Sequence, residues 1–184
     1  MLKQLLSYGI LASTLISGHA ISANFSLSSP SIKANKLSLK QVANSFGCTG
    51  ENISPALMWQ NAPKTSKSYA ITVYDPDAPT GSGWWHWVVY NIPKESSQLP
   101  EGAGTENSTT LPTGAIQGRT DASSHSFLGA CPPVGDKPHR YIFTIHALNV
   151  EKLELPSEAS AAHIGFMLNA HRIAKASFTA TYGR

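Results

Sequence analysis

The stretch from Tyr74 to Pro93 constrains this chain more than any other. It opens with Asp75-Pro76-Asp77-Ala78-Pro79, passes through the small-residue run Thr80-Gly81-Ser82-Gly83, and ends in Trp84-Trp85-His86-Trp87 ahead of an apolar strand. Proline has no N–H for a sheet ladder and pushes the residue before it into extended backbone, so Asp75 and Asp77 are not strand interior. They belong to a rigid, non-helical loop at a strand end. Residues 80–83 suit a reversal of direction, so the spacing predicts a second strand returning antiparallel and bringing His86 back towards Asp75. A carboxylate, an imidazole and three indoles then share one sheet edge, and rigid loops on a sheet are where binding chemistry tends to sit.

The rest of the chain reads as mainly β. Ser68 to Tyr74 places Tyr69, Ile71 and Val73 on one face and Ala70, Thr72 and Tyr74 on the other, and neither face is charged, so both are expected to be covered. His86 to Ile92 behaves likewise, with Val88 and Val89 adding β-branched stiffness. Tyr141 to Asn149 is a third strand apolar on both sides. Ala176, Phe178, Ala180 and Tyr182 alternate with Lys175, Ser177, Thr179 and Thr181 in a last strand with one wet face. Asn24–Ser29 suits an edge strand, Ile32–Gln41 alternates, and Ala56–Trp59 and Ala115–Gln117 are short strands. A helix is expected from Pro156-Ser157, capped by Ser157 and running through Asn169, with Ala161, Ile164 and Leu168 as its buried stripe. Between Pro93 and Leu128 regular structure is sparse, which in a compact domain marks a functional or mobile connection.

Composition narrows the class. The chain has 184 residues, 41% hydrophobic and 14% charged, the profile of one globular domain, taken as residues 24–184. Its net charge of +3 is not gathered into a basic run, which argues against a nucleic-acid partner. Residues 1–20 have a positive start at Lys3, an apolar stretch and small residues at the end, the pattern of a secretory signal peptide with cleavage as late as residue 23. That stretch is too short for a membrane span, and no later segment is long and apolar enough. The expectation is an exported protein, periplasmic or released from the cell. Its two cysteines, Cys48 and Cys131, are 83 residues apart and form either one disulfide, suited to an exported chain, or two small buried thiols.

With the Asp75–Pro79 run, His86, Pro132-Pro133, Gly135 and His139-Arg140-Tyr141 in view, the chain resembles the phosphatidylethanolamine-binding protein (PEBP) family, also called Raf kinase inhibitor-like proteins. It is most similar to the bacterial YbhB/YbcL-type branch. Phe46-Gly47-Cys48, Asn52 with Ser54-Pro55, Pro112-Thr113-Gly114 and Cys131-Pro132-Pro133 support this across the mature chain. The resemblance implies a central antiparallel sheet packed on a smaller one, with a C-terminal helix. It also implies a metal-free and cofactor-free pocket for a small anionic or phosphate-bearing ligand, of the phospholipid head-group type. By motif position Asp75 is the acidic wall, Pro79 shapes its loop, His86 and His139 line the cavity, Pro132 closes another side, and Tyr141 supplies a phenol. Thr120-Asp121-Ala122-Ser123 and Ala130 depart from the family pattern, so the rim between Arg119 and Gly129 is expected to differ.

Two other classes compete. Asp75, His86 and Ser126 could be imagined as a hydrolytic set, but there is no nucleophile elbow and no phosphate loop, so the expectation is a protein that is not an enzyme. The other class is an inhibitor or modulator of a protein partner such as a kinase, a protease or a host signalling factor. His125, His163 and His171 lack metal-ligand spacing, and His146, in mid-strand, is expected to be a satisfied core residue.

Overall fold

The computed structural model describes residues 24–184. The signal-peptide expectation for residues 1–20, with cleavage up to 23, lies outside the described residues. The strands apolar on both faces become the middle of a five-stranded antiparallel sheet. It is built from β3 (Ser68–Asp75), β4 (Trp84–Pro93), β6 (Ile116–Gln117), β7 (His139–Leu148) and β8 (Arg172–Tyr182), in the order β6-β4-β3-β7-β8. A smaller antiparallel sheet has the order β1-β2-β5, from β1 (Ser26–Ser28), β2 (Leu57–Gln60) and β5 (Gln98–Leu99). The fold is therefore mainly β, with a central sheet on a smaller one and α1 (Ala161–His171) towards the C-terminus.

Period-two alternation divides the core between the two faces of the central sheet. Ile71, Trp87, Val89, Phe143 and Ile145 pack towards Leu27, Leu57, Trp59 and Leu99 of the smaller sheet. Ala70, Val88, Tyr90 and Leu148 pack on the other side, against Ile164 and Leu168 of α1. Burying side chains of that size stabilises the fold by about 1.5–3 kcal/mol each.

Three local readings change. The helix begins at Ala161, and its cap is Ser160, whose hydroxyl accepts the His163 N–H at 3.2 Å. Residues 156–159 form a separate turn closed by Ala159 N–H donating to the Pro156 carbonyl, so Ser157 caps nothing. The last strand starts at Arg172, directly after the helix. Within 32–41 only isolated bridges and a 3-10 turn at Leu39–Gln41 form, because Ala34 and Asn35 take positive φ and reverse the chain. Cys48 and Cys131 are bonded to each other, which removes the free-thiol alternative.

Candidate functional site

The site is set by an irregularity in β4. Val73 pairs with Trp87 and Tyr74 with Trp85, so His86 is an extra residue inserted between two pairs, a β-bulge. Bulges bend a strand and re-aim side chains, and they gather near functional sites. Asp75 ends β3 opposite Trp84, and β7 runs along the other side of β3, with Tyr74 opposite Ile142. Asp75, His86, His139 and Tyr141 thus reach one concavity at the strand ends. The turn closing β3 onto β4 is tight: Gly83 has φ +70°, and a Cβ there would collide with the Tyr74 ring. The Thr80 hydroxyl donates to the Gly83 carbonyl across it.

The polar groups in this concavity are almost all paired. His139 Nδ1 lies 2.7 Å from Asp75 Oδ2, and Asp75 Oδ1 accepts the Asp77 N–H at 2.8 Å. The carboxylate therefore orients His139 and tethers its own loop. The second ring nitrogen of His139 is 3.5 Å from Asp136 Oδ2. Arg140 grips Asp77 with two side-chain bonds, 2.7 Å from Nη2 and 2.9 Å from Nε. That grip holds the Asp77 carboxyl down at about 2. His86 Nδ1–H donates to the Leu128 carbonyl at 2.9 Å, since a carbonyl can only accept. Burial pushes the His86 pKa down, against the pull of that carbonyl, which favours the neutral ring. Tyr141 packs edge-on to His86, with ring centroids 5.1 Å apart. Its hydroxyl is buried without a hydrogen-bond partner among the described residues. Burial, followed by the nearby Asp75, drives its ionisation far upward, so it remains a neutral O–H.

Asp75, Pro79, His86, Pro132, His139 and Tyr141 all line one pocket of about 190 Å³. Phe46, Trp84, Leu128, Cys131 and Pro133 line it too, while Ser126 does not. Leu128 carried no sequence signal, because it contributes its backbone carbonyl. Nor did Arg184, whose Nε donates to the Pro132 carbonyl at 2.6 Å and whose Nη1 donates to Gly47 at 2.9 Å. Together with the disulfide, Arg184 ties the 46–48 loop to the 131–133 loop, two walls of the pocket. Among the described residues no group of three or more His, Cys, Asp and Glu is placed to hold a metal ion, and no helix is long and apolar enough to cross a membrane.

A family model described as phosphatidylethanolamine-binding protein matches residues 28–183. The chain belongs to the phosphatidylethanolamine-binding protein family. Among its PEBP-family relatives is the UPF0098 protein YbcL of Escherichia coli (strain K12), 50% identical over 182 residues and 98% of each chain. The UPF0098 protein YbhB of the same strain is 47% identical over 148 residues, 80% of this chain and 92% of the relative. The crystal structure of E. coli YbcL, described as a new member of the mammalian PEBP family, matches with a TM-score of 0.85 and 52% identity. That match covers 88% of this chain and 99% of the other.

Proposed function

We propose that this PEBP-family protein binds a small phosphate-bearing or anionic ligand in the Asp75–His139 pocket, acts outside the cytoplasm, and is not an enzyme. The observation that carries the reading is the Tyr141 hydroxyl, a buried donor without a partner among the described residues, set beside Asp75, His86 and His139, each of which has one. Leaving a buried donor unpaired costs about 1–3 kcal/mol, and an anion oxygen in the pocket would recover it. His139, held by Asp75, and the free side of the His86 ring supply further polar contacts. Export is supported by the leader-like residues 1–20 and by a disulfide, which persists in oxidising compartments. Exposed Phe46 (66%) and Val134 (78%) beside the mouth favour a protein partner as the second reading.

Native mass spectrometry of the purified mature chain, with phosphoethanolamine added, tests the assignment. A phosphate-bearing adduct is expected on the wild type, weakened about tenfold or more in Tyr141→Phe and absent in His86→Ala/His139→Ala. Tyr141→Phe deletes only an unpaired hydroxyl and keeps the fold, so undiminished binding in that variant refutes the assignment.

A further inference from the structure

The opposite face of the central sheet carries a second concavity that the pocket above does not use. It lies between α1 and strands β3, β7 and β8 and has a volume of about 450 Å³, within the range usual for small-molecule sites. Arg172 and Lys175 line it, no acidic side chain does, and neither cation meets a carboxylate among the described residues. Its floor holds His146, 7% exposed, placed opposite Lys175 in the β7–β8 ladder. His146 Nε2 is 3.0 Å from the Thr72 hydroxyl, and its Nδ1 is buried without a partner among the described residues.

A neutral imidazole carries one N–H and a threonine carries one O–H, and the bond between them uses one of the two. If Thr72 donates, the Nδ1–H of His146 is left over; if His146 donates, the Thr72 O–H is left over. Either way the floor retains one donor without an acceptor, beneath two unpaired cations. The ring stays neutral there, because burial, with help from Arg172 and Lys175, lowers its pKa to about 3. At the rim, Phe166 of α1 is 69% exposed, and Tyr74 and Trp85 form an aromatic pair with centroids 4.7 Å apart.

We infer that this groove is a second binding site, for a small organic anion that carries a flat apolar group. The anionic head meets Arg172, Lys175 and the leftover donor, while the flat group lies against Trp85 and Phe166. Charge-assisted hydrogen bonds give such a site its affinity, and the aromatic rim selects against bare inorganic ions.

The test is a titration of the full mature chain with phenyl phosphate, followed by proton–nitrogen NMR, with inorganic phosphate in a parallel arm. Saturable shifts of the Trp85 indole and the His146 ring are expected, at lower concentration for phenyl phosphate than for phosphate. Arg172→Gln/Lys175→Gln, both outside the core, should weaken that response by about tenfold or more with an unchanged unfolding midpoint. Phe166→Ser should weaken it by about threefold. Tyr141→Phe, on the other face, should leave it unchanged. Shifts confined to His86, His139 and Tyr141 overturn the second site while leaving the proposed function standing. A still His146 at millimolar phenyl phosphate, or a response indifferent to loss of both cations, also overturns it.

Discussion

At the ends of β3, β4 and β7, neighbouring residues serve opposite faces of the central sheet. Asp75, Trp84 and Tyr141 line the first pocket, while Tyr74, Trp85 and Ile142 line the second groove. The first face is preorganised: a buried carboxylate holds a histidine, a bulge aims another, and a disulfide with Arg184 locks the surrounding loops. The second face is open, with exposed or half-exposed cations and aromatics over a single buried histidine–threonine pair. The contrast shows how alternation along a strand can give one sheet two sites of different rigidity. It also sets how each responds to mutation, because a networked site loses stability when one member goes, whereas an open one loses affinity first.

The largest effect should come from Asp75→Ala, which takes the acceptor away from both His139 and the Asp77 N–H. Leaving each of these donors without its acceptor costs about 1–3 kcal/mol, read together by urea unfolding near neutral pH. Next is Cys48→Ser/Cys131→Ser, which opens a crosslink spanning 83 residues and should cost about 2–4 kcal/mol. It should also weaken ligand capture in the first pocket, whose walls it releases, while the response of His146 to phenyl phosphate is retained. If both sites weaken equally, the two faces are not independent.

Acid sharpens the comparison from the other side. The pKa of His146 falls from 6.5 to about 3 on folding, so between those values the unfolded chain binds a proton that the fold refuses. Stability should therefore decline as pH drops through that window, by at most about 1.4 kcal/mol per pH unit. His146→Gln should flatten the slope, and the slope that remains includes His86, whose pKa is also lowered by burial. Urea unfolding at stepped pH reads both. The smallest effect is a gain. Gly165 lies in mid-helix, and an added Cβ would meet only the Trp85 ring at an ordinary 3.7 Å. Gly165→Ala should stabilise the chain by about 0.5–1 kcal/mol in thermal unfolding, through helix propensity alone.

Much of the fold and the lining of the first pocket was legible in the sequence. Proline placement put Asp77 in a strand-end loop, although Asp75 itself closes β3 opposite Trp84, period-two alternation found the central strands, and spaced motifs brought Pro132, His139 and Tyr141 to the same place. What stayed hidden was the choice of partner. Asp75 bonds to His139, which comes from 64 residues further along the chain, and His86 donates instead to a backbone carbonyl at Leu128. His146 shows the same limit: it is a buried strand residue, as its pattern suggested, but not the satisfied one expected, since its Nδ1 has no hydrogen-bond partner among the described residues.

The sequence by itself determined the mainly β architecture, the rigid acidic loop and the family, because backbone preferences and side-chain alternation act within a few residues. Only the tertiary structure decided the bulge at His86, the Arg184 clamp and the division of two concavities between two faces. Each of those depends on which distant backbone or side chain comes within about 3 Å, and that distance is set by register and packing rather than by local propensity.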